Sequence, residues 1–75
     1  MSVLRLREML ESAFPGARVE VSDMTGTGDH FEILLVSEIF RGKSLIEQHK
    51  MVFAVLEEEM GENNIHAVKL KTKAP

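Results

Sequence analysis

The groups in this sequence best suited to metal ligation are its three histidines, His30, His49 and His66, because neutral imidazole offers a lone pair near physiological pH. There is no cysteine, so the chain can build neither a thiolate site nor a disulfide of its own. His30 and His66 each stand at the start of a segment with strand character, and the loop Met24-Thr25-Gly26-Thr27-Gly28-Asp29 ends beside His30. If those two segments are neighbouring parallel strands, about 5 Å apart, both imidazoles and the loop meet at one end of a sheet. That is half a site. Zinc sites are closed by protein ligands on every side, or on all but one in catalytic centres. Two histidines and Asp29 fall short, so a partner has to supply the rest.

Packing competes with ligation for each of these residues. From spacing alone His66 shares a strand face with Val68 and Leu70, and a core-edge imidazole with a satisfied hydrogen bond is the commoner outcome there. His30 also suits a plain strand start, and His49 lies on the apolar stripe of a helix, where packing accounts for it. Gly26 and Gly28 lack the strand–GxGxxG–helix context of a nucleotide site, and turn geometry explains them. Ser12, Ser22, Ser37 and Ser44 have no nucleophile-elbow context and no matching histidine–acid arrangement, which argues against a hydrolase. The run Glu57-Glu58-Glu59 reads as a solvated helix face.

The elements that must position the histidines follow from periodicity. Ser2 can cap a first helix in which Val3, Leu6, Met9/Leu10 and Ala13 recur at helical spacing, and Pro15-Gly16 ends it. Ala17, Val19 and Val21 alternate with polar residues as in a half-buried strand. Phe31 to Ser37 reads as a second strand, with apolar residues on both faces, so it is expected to be central and covered on both sides for part of its length. Ser44-Leu45-Ile46-Glu47 has the form of a capping box. Behind it Leu45/Ile46, His49, Val52/Phe53, Leu56 and Met60 form a helical stripe closed by Gly61. Ile65 to Thr72 reads as a third strand and Lys73-Ala74-Pro75 as a tail. An antiparallel pair followed by a right-handed crossover through the long helix gives an α+β domain: a mixed three-stranded sheet with two helices packed on one face, residues 1–75 forming a single unit.

With 75 residues the chain has room for one core. The formal net charge of −3, without Trp or Tyr, disfavours nucleic-acid binding by bulk electrostatics or by aromatic stacking. The longest apolar run, Ile33 to Val36, is too short to cross a bilayer, and no export signal is evident at the N-terminus. A soluble protein of the reducing cytoplasm is expected.

Taken together, Gly28-Asp29-His30-Phe31, Phe40-Arg41-Gly42-Lys43-Ser44, Glu47-Gln48-His49-Lys50-Met51-Val52, Leu56-Glu57-Glu58-Glu59, Ile65-His66-Ala67 and Lys71-Thr72-Lys73-Ala74-Pro75 resemble the BolA family. The first helix matches only in pattern. The resemblance implies an αββαβ fold related to the type II KH domain. It also implies a non-enzymatic role as partner of a monothiol glutaredoxin in [2Fe–2S] cluster binding, trafficking or iron–sulfur sensing. The cluster is then shared: the glutaredoxin cysteine and a glutathione thiol hold one side and His66, of the Ile-His-Ala motif, holds the other. Mixed thiolate and imidazole ligation is known from Rieske centres. The isolated chain is expected to be a monomer without a cluster, forming a heterodimer with the glutaredoxin.

The sequence departs from the family where relatives carry a loop cysteine, four positions before Phe31; here that position is Thr27. His30, Asp29 or no second protein ligand remain. The resemblance also implies an alternative, a DNA-binding transcriptional regulator, for which Arg41, Gly42, Lys43 and Lys50 would supply a basic patch. The KH clamp requires Gly-x-x-Gly, however, and Arg41-Gly42-Lys43-Ser44 has one glycine. Weak nucleic-acid binding is therefore expected, and the same patch equally suits an acidic partner surface or the glutathione carboxylates.

Overall fold

Ser2 nucleates the first element. Its hydroxyl accepts from the Arg5 N–H at 3.1 Å, and helix α1 runs Val3–Ala13. The computed structural model describes residues 2–26, 30–61 and 68–75. Within α1, Leu6 and Leu10 are fully buried, whereas Ala13, expected on the same stripe, is exposed. Phe14 takes its place inward. The helix ends at this residue, whose N–H still donates to the Leu10 carbonyl, and its ring packs 5.8 Å from that of Phe40. Gly16, at φ +82°, turns the chain, a conformation that side chains with a Cβ rarely adopt.

Strand β1 (Arg18–Asp23) pairs antiparallel with β2 (Phe31–Val36), and β2 pairs in parallel with β3 (Val68–Lys73), giving the order β1-β2-β3. The α+β architecture, with two helices on one face of a mixed sheet, is as the sequence led us to expect. Phe31, Ile33 and Leu35 of β2 are fully buried and join Leu6, Leu10, Phe14, Val19, Phe40, Val52, Leu56 and Leu70 in one core. Both helices thus lie on the face that these β2 residues present.

Other expectations need correction. β2 is central but not covered on both sides: Leu34 and Val36 are half-buried on the face the helices leave open. β3 extends to Lys73, which pairs with Val36; the expected beginning of this strand, Ile65–Ala67, lies outside the described residues. Between β2 and the second helix a 3-10 turn, Glu38–Phe40, was not anticipated. Ser37 caps it, accepting from the Ile39 N–H at 3.3 Å, and the turn delivers Phe40 into the core.

The second helix, α2, runs Leu45–Met60 from the expected capping box: the Ser44 hydroxyl accepts from the Glu47 N–H at 3.1 Å while the Glu47 carboxylate accepts from the Ser44 N–H at 3.3 Å. Gly61 closes it at φ 79°, ψ 151°, outside the left-handed helical region proper but in conformational space open essentially to glycine alone. Leu45 and Ile46 were expected on the buried stripe, yet both are exposed. The first turn of α2 overhangs the core, and burial begins with the later turns, at Val52 and Leu56.

The cap makes a pH-dependent prediction. Hydrogen bonds from the Ser44 main chain and hydroxyl hold the Glu47 carboxyl below its ordinary value of 4.5. A depressed folded-state pKa contributes stability that is present above the unfolded value and lost as pH falls through the folded one. Ser44→Ala should lower stability at neutral pH by roughly 0.5–2 kcal/mol. Glu47→Gln, which can keep the hydrogen bonds but not the charge, should flatten the loss of stability on acidification below pH 4.5. Urea midpoints across the acid range provide the check; an unchanged acid limb in Glu47→Gln would show the cap carboxylate to be idle.

Candidate functional site

The parallel pairing of β2 with β3 sets Phe31 opposite Val68. Both strands therefore begin at the same end of the sheet. His30 immediately precedes β2 and is exposed, and its carbonyl accepts from the Met24 N–H at 2.8 Å, closing the β1–β2 connection. The start of that connection is shaped by Asp23, whose Oδ1 accepts from the N–H groups of Thr25 (3.3 Å) and Gly26 (2.9 Å), an Asx turn. Thr27–Asp29 and His66 lie outside the described residues; in the chain, His66 stands two residues before Val68.

The donor set itself is informative. The chain has no cysteine, and among the described residues no group of three or more His, Cys, Asp or Glu side chains could hold a metal ion. A closed iron–sulfur site of its own needs thiolates it does not have.

The basic patch divides into parts. Arg41 is engaged: its guanidinium forms a forked pair with the Glu38 carboxylate and its Nη2 donates to the Pro75 main-chain oxygen at 3.0 Å. The hydrogen bond from Arg41 holds the Glu38 carboxyl below its ordinary value, and the same bond raises the guanidinium further. Gly42, at φ +78°, forms the turn that follows. Lys43 and Lys50 are exposed on either side of the first turn of α2. Gln48 fixes this corner to the sheet: its Nε2 donates to the Lys43 carbonyl at 3.0 Å and its Oε1 accepts from the Thr72 hydroxyl at 2.6 Å. Ile39, Leu45 and Ile46 are 49%, 60% and 69% exposed. The sequence pattern did not reveal Leu45 and Ile46 as surface residues, because they adjoin the apolar stripe of α2, and Ile39 lies in a turn too short for a periodicity.

His49 packs, as its position implied. Its ring meets Phe53 edge-on with centroids 6.2 Å apart, and its Nε2 is buried without a hydrogen-bond partner among the described residues. An unsatisfied buried polar atom is costly. His49→Leu, which keeps an apolar side chain and removes the orphaned nitrogen, should therefore stabilise the domain by about 1 kcal/mol. A lowered melting temperature would show that the imidazole has a stabilising partner.

Comparison with known proteins adds a family pattern to this geometry. The family model for BolA-like protein matches residues 10–75. "Protein BOLA2" of Arabidopsis thaliana is 49% identical over 63 residues, covering 83% of this chain and 66% of that protein. The "DNA-binding transcriptional regulator BolA" of Escherichia coli is 33% identical over 75 residues, covering 91% of this chain and 70% of the relative. Among solved structures, the BolA domain of SufE1 from Arabidopsis thaliana superposes with a TM-score of 0.81 at 33% identity, covering 97% of this chain and 91% of that one. The chain spans just under two thirds of BOLA2 and 23% of Arabidopsis SufE-like protein 1. Among the described residues, no helix is long and apolar enough to cross a membrane.

Proposed function

This chain belongs to the BolA-like protein family, and from that premise we propose that it is a non-enzymatic partner of a monothiol glutaredoxin, helping to hold or hand on a [2Fe–2S] cluster. The observation that carries the reading is the pairing of Phe31 with Val68. The segments leading into these strands contain His30 and the Ile65-His66-Ala67 motif, which supports the reading that two imidazole donors serve one centre. His66 is the primary ligand in this proposal and His30 the auxiliary one. A cluster bound there supplies an electron-transfer or transferable iron–sulfur unit, and this chain contributes nitrogen donors opposite the thiolates of glutaredoxin and glutathione. Lys43, Lys50 and the exposed Leu45 and Ile46 provide a contact surface for the partner.

A second reading, nucleic-acid binding in transcriptional regulation, is favoured by the name of the Escherichia coli relative. Two features weigh against it: Arg41 is tied to Glu38 and Pro75, which leaves Lys43 and Lys50 as the cations of the patch beside α2, and the net charge is −3. Co-expression with a monothiol glutaredoxin distinguishes the two. The cytoplasmic, glutaredoxin-partner reading expects a coloured one-to-one heterodimer on gel filtration and a colourless monomer when the chain is expressed alone. Failure to form the heterodimer, together with tight binding to a defined duplex that is lost in Lys43→Glu, Lys50→Glu, would favour the regulator.

A further inference from the structure

The face of the sheet turned away from both helices has an ordered composition. Register places Arg18, Glu20 and Ser22 of β1 beside Val36, Leu34 and Glu32 of β2, and these beside Lys73, Lys71 and Lys69 of β3. The three lysines are exposed, and Leu34 and Val36 lie half-buried in the middle. Arg18 pairs with Glu20 at 2.6 Å and Lys71 approaches Glu32 at 3.7 Å, while Lys69 and Lys73 have no ion pair among the described residues. The face carries a surplus of two positive charges on a chain whose net charge is −3. At the end where β2 and β3 finish, Gly16, Arg18, Val36, Lys73, Ala74 and Pro75 line a hollow of ≈ 410 Å³.

We propose that this open face docks an acidic amphipathic helix of a partner polypeptide. Three strands span about 10 Å, which matches the diameter of a helix, roughly 10–12 Å with its side chains. The lysines recur every second residue of an extended strand, about 6.6 Å apart, and acidic residues at i and i+4 of a helix are separated by a rise of about 6 Å. An apolar stripe on the helix then covers Leu34 and Val36 while its acidic flank runs along Lys69, Lys71 and Lys73. Lysine on an edge strand also deters strand-to-strand association, but that role does not account for the apolar pair left uncovered on the same face. Nucleic acid fits less well, since Glu20 and Glu32 share the face and no aromatic residue stands there for a base to stack on. The surface involves none of His30, His66, Lys43 or Lys50, so it stands independently of the glutaredoxin reading.

The test uses the full chain, ¹⁵N-labelled, and a synthetic helical peptide of about 20 residues with a leucine stripe flanked by glutamates at i, i+4. Amide shifts should concentrate on Glu32–Val36 and Lys69–Lys73. The Lys69→Gln, Lys71→Gln, Lys73→Gln triple variant, folded as judged by its unchanged melting curve, should bind about tenfold more weakly. A peptide with lysines in place of its glutamates should bind more weakly still. The proposal is overturned if millimolar peptide produces no shifts, if the shifts fall on α2, or if the triple variant binds equally well. It is overturned likewise if a single-stranded oligonucleotide perturbs the face more strongly than the peptide at the same concentration and salt, which would assign the face to nucleic acid.

Discussion

Replacing His66 with alanine is expected to abolish the change that this chain imposes on the visible circular dichroism of a glutaredoxin-bound cluster. In the proposed site His66 is the nitrogen donor opposite the thiolates, and an alanine offers no replacement. His30→Ala should have a smaller effect, because an exposed residue at the edge of a loop can be replaced by Asp29, water or a group of the partner. His49→Leu is the control: its imidazole is packed against Phe53 within α2, and the spectrum of its complex should match that of the wild type. The measurement is the circular dichroism of complexes purified after co-expression, alongside far-ultraviolet spectra to verify folding. A His66→Ala complex that retains the full wild-type spectrum would remove this residue from the ligand set.

Phe40→Ala should be strongly destabilising. In the sequence Phe40 belongs to a motif, Phe40-Arg41-Gly42, that invites a recognition role, but in the structure its side chain is 1% exposed and packs against Phe14. Truncating a buried phenylalanine to alanine costs about 3–5 kcal/mol. A 75-residue domain has roughly 4–11 kcal/mol in total, so the variant loses a large share of its stability and should melt about 12 °C or more below the wild type. Phe40→Leu should retain most of the stability, since it leaves the smaller cavity. Thermal melts followed by circular dichroism decide the matter; a Phe40→Ala protein that melts with the wild type would show the ring to be dispensable and the motif to be a surface feature.

Local signals in the sequence identified the elements well where a single interaction defines them. The reciprocal Ser44–Glu47 capping box and the single hydrogen bond of the Ser2 cap are contacts within one turn, and both form as expected. The alternation of Val19 and Val21 and the apolar content of β2 sufficed for the mixed sheet. What could not be read depends on which face of the sheet the helices choose. Leu34 and Leu35 look alike in sequence, yet Leu35 is fully buried and Leu34 stands on the open face. The same ambiguity hid the lysine row, because Lys69, Lys71 and Lys73 form a surface only once register aligns them with Leu34 and Val36. Leu45 is in phase with Val52 and Leu56 and is exposed because it stands in the first helical turn, while Ile46 is in phase with the half-buried Phe53. Ser37-Glu38-Ile39-Phe40 was too short a segment for any periodicity to mark as a turn. Of the candidate site, the convergence of the two strand starts was legible from topology, and the engagement of Arg41 by Glu38 and Pro75 was not, because one of its partners lies 34 residues away.

The central claim, that this chain gives imidazole nitrogen to a shared cluster, is tested most directly by labelling its histidines alone with ¹⁵N, assembling the complex with unlabelled monothiol glutaredoxin and glutathione, and recording pulsed electron paramagnetic resonance of the reduced [2Fe–2S] centre. The account predicts a strong ¹⁵N hyperfine coupling that is retained in His49→Leu, sharply reduced in His66→Ala and lost in the His30→Ala, His66→Ala double variant. A reduced cluster in the intact heterocomplex with no coupling to any labelled histidine would contradict it.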